Sequence, residues 1–188
     1  MSSAKSMKIV GFAGSLRKDS FNKALINTAK ELAPENVEFE VLDLSGIPLY
    51  NQDEEKEMPM SVKEFKRKIK GADAILISTP EYNRSVPGVL KNAIDWASRP
   101  HGDNSFDDKP AGLIGATDGR VVGTIVAQSH MRSILSFLNV HLLGKPQLFV
   151  TEAQSKIKDG IFVDEHTRES LKLFLEKLVE WTERINRN

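Results

Sequence analysis

Two stretches hold residues whose types and spacing suit ligand chemistry. The first is Gly14-Ser15-Leu16-Arg17-Lys18-Asp19-Ser20-Phe21-Asn22, between an apolar run and an amphipathic one. A loop that opens a helix turns several backbone N–H groups and the positive end of the helix dipole toward one point. Ser15, Ser20 and Asn22 add neutral donors there, and Arg17 adds a charged fork. The set suits a terminal monophosphate. No Gly-Lys-Ser/Thr follows Gly14 at Walker A spacing, and the G-x-G-x-x-G fingerprint is absent. The same residues also suit a plain helix start, with Ser20 capping and Arg17 solvated. The second stretch is Thr79-Pro80-Glu81-Tyr82-Asn83-Arg84-Ser85-Val86-Pro87-Gly88. Two prolines stiffen it, and Tyr82 beside Asn83 offers a flat aromatic and an amide to a planar heterocycle. An ordinary turn with a surface tyrosine is the alternative.

Other chemistries find few residues. Cysteine is absent, which excludes disulfides, a thiolate nucleophile and Cys-ligated zinc or iron. His101, His130, His141 and His166 form no ligand pair, so no metal site is expected. His130 suits an interface or packing role, and Trp96 and Trp181 suit the core or an interface. A hydrolase using Ser15 or Ser20 would lack a base, since no histidine lies near either loop in sequence. Lys plus Arg and Asp plus Glu both total 26, so the net charge is zero and no nucleic-acid partner is expected. The basic stretch Lys63, Lys66, Arg67, Lys68 and Lys70 reads as a solvated face. No apolar run approaches the ~20 residues that span a bilayer. The expectation is a cytoplasmic chain of one domain over 1–188, with a disordered tail at 1–6.

The elements that must position the two loops follow from periodicity. Continuous apolar runs at 9–13, 74–77, 111–117 and 147–151 read as buried strands. Residues 37–42 alternate and read as a half-buried strand near a sheet edge. Helices are expected at 21–33, at 61–71 behind a Ser61/Glu64 capping box, from Pro87 to 98, at 125–138 and through the last periodic stretch, Leu171 to Ile185. Residues 45–60 read as a long loop, and 155–163 as a hairpin about Asp159-Gly160. Five strands alternating with five helices imply an α/β fold: a flavodoxin-like, five-stranded parallel sheet, order 2-1-3-4-5, with helices on both faces. Ligands then bind at the carboxyl ends of strands 1 and 3, where both loops lie.

Residues 14–22 with Pro-Glu-Tyr-Asn-Arg-Ser-Val-Pro-Gly-Val-Leu-Lys-Asn-Ala-Ile-Asp-Trp at 80–96 closely resemble the NAD(P)H-dependent FMN reductase family of flavodoxin-like quinone, chromate and azo-dye reductases. The resemblance runs through Gln128-Ser129-His130-Met131-Arg132 to the end of the chain. It implies FMN with its phosphate on Ser15, Arg17, Ser20, Phe21 and Asn22, and its ring against Pro80, Glu81, Tyr82 and Asn83. The loop after strand 4, from Ala116 and Thr117, would approach the ring's pyrimidine side. That loop departs from the glycine- and serine-rich pattern of many relatives. Asp118 would disfavour a reduced, anionic flavin there and Arg120 would favour it.

The resemblance further implies an enzyme that carries electrons from NADPH or NADH through FMN to quinones, chromate, azo compounds or ferric complexes. No catalytic side chain is expected. The alternative is a flavin protein without catalysis, either an electron carrier or a redox-responsive module. Relatives assemble as dimers or tetramers. The apolar surplus on the helix of Val86, Val89, Leu90, Ala93, Ile94, Trp96 and Ala97 also suggests a homodimer or homotetramer interface, with each flavin site close to the partner.

Overall fold

The computed structural model describes residues 6–187. The expected tail, Ser6 apart, lies outside the described residues. Ser6 is exposed, and its hydroxyl donates to the Asn36 carbonyl at 3.3 Å. Four strands form the body of a parallel sheet: β1 (Met7–Ala13), β2 (Val37–Leu42), β3 (Ala74–Ser78) and β4 (Pro110–Ala116). The order is β2-β1-β3-β4-β5, as the pattern predicts. The last strand differs from expectation. It is two short pieces, β5 (His141–Leu142) and β6 (Leu148–Val150), both paired with β4 at different heights. Gly144 and Pro146 lie between them, and proline has no N–H to give a ladder. The hairpin is β7 (Ile157–Lys158) and β8 (Ile161–Phe162), as expected.

The helices are α1 (Phe21–Glu31), α2 (Met60–Lys70), α3 (Gly88–Ala97), α4 (Ile125–Phe137) and α5 (Glu165–Asn186). Strand side chains alternate between two cores. Ile9 and Leu76 face α1 and α5, meeting Leu25, Phe174 and Leu175. Val10, Phe12, Ile75 and Ile77 face α2, α3 and α4, meeting Phe65, Leu90 and Met131. On the edge strand β2 the alternation is incomplete: Phe39 and Leu42 are buried but Val41 is 38 % exposed.

Two helix starts differ from expectation for one reason. Proline fixes φ near the helical value and sets the entry of the chain. Pro59 is the N-cap of α2, so the helix begins at Met60 and the Ser61/Glu64 capping box does not form. Glu64 instead accepts from Arg67 at 2.6 and 2.7 Å. Pro87 is the N-cap of α3, one position before the first helical residue.

Residues 45–60 are not a free loop. They contain a 3₁₀ turn (Gln52–Glu57) and lie along α3. Tyr50 N–H donates to Asn92 Oδ1 at 2.7 Å, and Asn92 Nδ2 and Trp96 Nε1 both donate to Pro48 O, at 2.8 and 2.9 Å. Trp96 is fully buried against Met58, Val62 and Tyr50. The apolar surplus of α3 is therefore covered by this chain's own 45–60 segment and α2. Trp96 belongs to the core, while Val86 and Val89 of the same set stay partly buried.

The basic face of α2 also departs from expectation. Lys66 is 5 % exposed, and its ammonium donates to the carbonyls of Ala97, Arg99 and Asp103. Burial pushes its pKa down, and the Asp103 carboxylate, 3.3 Å away, opposes that. Burial would raise the Asp103 carboxyl, but bonds from Lys70 and Lys66 outweigh it and hold the pKa below its ordinary 3.8. The pair's stabilisation is therefore complete above that value and lost as pH falls below it. Acid melting curves of Asp103→Asn should converge on wild type below pH 3.8 and lie beneath it at neutral pH. A constant gap at all pH values would remove the pair from the account.

Candidate flavin site

The loops after β1, β3 and β4 come together at the carboxyl ends of adjacent strands. Their arrangement starts from Asn22, fully inside at the first turn of α1. Its Nδ2 donates to Ala116 O at 2.9 Å. Its Oδ1 accepts from Ala116 N at 3.0 Å and Ser78 Oγ at 2.8 Å. One amide thus locks α1 to the ends of both β3 and β4. The Asn22 side chain thus serves the fold through its oxygen and one Nδ2 hydrogen, and its backbone N–H and second Nδ2 hydrogen make no other bond among the described residues.

Around that lock stand the other expected phosphate residues. Ser15 is buried, and its Oγ accepts from Arg17 N at 3.3 Å. Ser20 caps α1, accepting from Lys23 N at a long 3.4 Å. The Arg17 guanidinium stacks over the Phe21 ring at 4.7 Å, which holds a cation at the helix start. Among the described residues the first-turn N–H groups of Phe21 and Asn22 have no acceptor in the chain. Hydroxyls, free N–H groups, a helix N-terminus and a placed guanidinium form a donor set that fits the monophosphate of FMN. Sequence reasoning passed over Lys23, whose Nζ reaches Leu16 O at 3.5 Å and makes no ion pair among the described residues. Its place one position past Asn22 was the available signal.

The second loop is a tight turn. Tyr82 N donates to Ser85 O at 3.1 Å and Ser85 N to Tyr82 O at 3.0 Å. Asn83 and Arg84 sit at φ +50° and +61°, the two central positions of a type I′ turn. Asn tolerates that region, whereas Arg84 is strained there. Pro80 is buried and Tyr82 is 51 % exposed, so the aromatic stands at the mouth. Glu81 is placed in the loop, but both its carboxylate oxygens are engaged within the chain, Oε2 by Val126 N and Ala127 N.

Ala116 is buried at the end of β4, and Thr117 is bonded through its backbone to Val150 and Ala153. Gly115 permits the approach of α4, since a Cβ there would lie 2.1 Å from Thr124 Oγ1 and 2.6 Å from Thr79 O. Asp118 and Arg120 are both turned to the segment after β6: Asp118 accepts from Gln154 N at 3.2 Å, and Arg120 pairs with Glu152 at 3.3 Å. Leu16, Tyr82, Val121 and Val122, on the same loops, are exposed apolar side chains. His130 is exposed, with Nδ1 3.1 Å from Ser85 Oγ.

Residues 7–155, the span that carries all these loops, match the NADPH-dependent FMN reductase family. The chain belongs to that family. It is 44% identical over 176 residues to a 2-hydroxy-1,4-benzoquinone reductase of a Burkholderia species, covering 93% of this chain and 96% of the relative. It is 45% identical over 181 residues to an NAD(P)H-dependent FMN reductase of Pseudomonas aeruginosa, covering 95% and 97%. Among solved structures it is similar to the flavoenzyme NAD(P)H:(acceptor) oxidoreductase FerB of Paracoccus denitrificans. That match has a TM-score of 0.86 and 39% identity, with coverage of 95% and 98%. The chain is thus an FMN-dependent oxidoreductase of the NAD(P)H-using kind.

Proposed function

We propose that this FMN reductase passes electrons from NADPH or NADH to quinones, and to other small acceptors with less selectivity. One observation carries the reading. A donor-lined helix start and a rigid aromatic turn stand side by side at the ends of β1 and β3, where a flavin's phosphate and ring would each find a partner. When bound, FMN supplies the two-electron chemistry. Ser15, Arg17, Ser20 and the Phe21 and Asn22 N–H groups would hold the phosphate. Pro80, Tyr82 and Asn83 would set the ring, and Ala116 and Thr117 would border it. No side chain acts as a nucleophile.

Exposed Leu16, Tyr82, Val121 and Val122 on these loops offer apolar surface to a flat acceptor, which supports quinones ahead of chromate or ferric complexes. Relatives 37% to 45% identical bear quinone reductase or FMN reductase names, which supports the same choice. The whole chain acts as one domain in this reading. Among the described residues no helix is long and apolar enough to cross a membrane. A cytoplasmic place follows from the nicotinamide pool the enzyme would draw on. Assembly as a homodimer or homotetramer is part of this reading, and Ile125 and Phe137, exposed at the two ends of α4, are among the apolar side chains it could cover.

The test is steady-state oxidation of NADPH and of NADH by the FMN-loaded protein with a benzoquinone. One open face serving donor and acceptor in turn predicts parallel double-reciprocal lines. Intersecting lines would require both substrates at once and remove the shared face. Absence of turnover with either nicotinamide would favour the electron carrier.

A further inference from the structure

Helix α4 has 13 residues, and its N-cap, Thr124, makes no side-chain cap. The cap comes instead from the ring loop. Glu81 Oε2 accepts from Val126 N at 3.0 Å and from Ala127 N at 3.1 Å. These are the second and third residues of α4, whose N–H groups have no partner within the helix. The Glu81 side chain is 10 % exposed, and its other oxygen lies 3.4 Å from Arg84 Nη1. A helix N-terminus acts as roughly half a positive charge. A full carboxylate placed on it reverses the sign. Arg84 returns part of that charge, but its side chain is 70 % exposed and screened.

We propose that Glu81 is a positioning residue with two separable effects on the flavin. It ties the Tyr82–Ser85 turn to α4, and it cancels the positive end of α4 beside the ring. The inference rests on the flavin placement proposed above. Reduction adds negative charge to a flavin, so an uncancelled helix end would bind the reduced cofactor more tightly than the oxidised one. Glu81 removes that bias. It keeps the reduced cofactor a strong donor, which suits an enzyme that must hand electrons on. On the β4 loop, Asp118 bonds Gln154 N and Arg120 pairs with Glu152 near the surface, so their contribution is the same in every Glu81 variant.

The test compares FMN-loaded wild type, E81Q, E81A and R84Q by anaerobic redox titration and by FMN affinity in both oxidation states. Gln keeps an oxygen for both N–H groups and removes the charge. E81Q should therefore bind oxidised FMN within about twofold of wild type. It should bind reduced FMN about tenfold more tightly relative to oxidised, the range of a partly buried helix-end charge. Tenfold is a rise of about 30 mV for a two-electron couple. E81A should show the same rise and, in addition, weaker binding of oxidised FMN, because the turn is freed. R84Q sits on the surface and should fold whatever happens to the other two. It should move the potential the opposite way, because Glu81 loses its counter-charge. An E81Q potential equal to wild type, or an R84Q shift upward, overturns the proposal. Failure of wild type to bind FMN overturns the flavin placement instead, so the two failures are distinguishable.

Discussion

Asn22→Ala should cost about 3–5 kcal/mol of folding stability and strip the protein of flavin. The substitution deletes three buried hydrogen bonds and leaves Ala116 N, Ala116 O and Ser78 Oγ without partners. A lost bond costs ~0.5–1.5 kcal/mol, and an unsatisfied buried group ~1–3 kcal/mol. Because the same amide holds α1 against β3 and β4, flavin loss should exceed what global unfolding explains. Denaturant titration with and without added FMN checks this. A stability loss below about 1 kcal/mol would mean that water replaces the amide and that the lock is not what aligns the loops.

Trp96→Glu should unfold the chain rather than merely separate subunits. The indole is fully buried, its Nε1 is bonded to Pro48 O, and Tyr50 packs edge-on at 5.0 Å. Truncating such a residue costs ~3–5 kcal/mol, and a buried unpaired carboxylate adds to that. A domain stable by ~5–15 kcal/mol tolerates little of it. Thermal melting with sedimentation separates the outcomes. The account predicts a lowered melting temperature at every protein concentration. A folded monomer with the wild-type melting temperature would put Trp96 back at an interface.

That second prediction reverses an expectation drawn from sequence, and the reason is physical. Periodicity counts how many faces of a helix are apolar but not what covers them. The residues that cover Trp96 lie in a stretch whose Pro48, Pro59 and acidic run read as loop, and they dock by side-chain bonds invisible to periodicity. The sheet order was legible because buried parallel strands are continuous apolar runs, and loop 14–22 was legible because a helix start concentrates donors. Asn22 and Glu81 were legible as site residues but not in their roles. Each makes its decisive bonds to residues 45 or more positions away, Ala116 in one case and Val126 and Ala127 in the other. The division of the last strand escaped because a two-residue strand has no period to detect. Lys66 read as solvated because its carbonyl partners lie at the end of α3 and in the loop after it, 31 to 37 residues on.

If the start of α1 holds a flavin's monophosphate, that phosphate must contribute much of the binding. Titration of flavin-free protein with FMN and with riboflavin, followed by quenching of flavin fluorescence, measures what the phosphate contributes. The account predicts that FMN binds at least about a hundredfold more tightly, as two or more charge-assisted bonds of ~1.5–3 kcal/mol each would give. It also predicts that Arg17→Ala closes about 1.5–3 kcal/mol of that gap. Equal affinity for FMN and riboflavin, with Arg17→Ala indistinguishable from wild type, would contradict it.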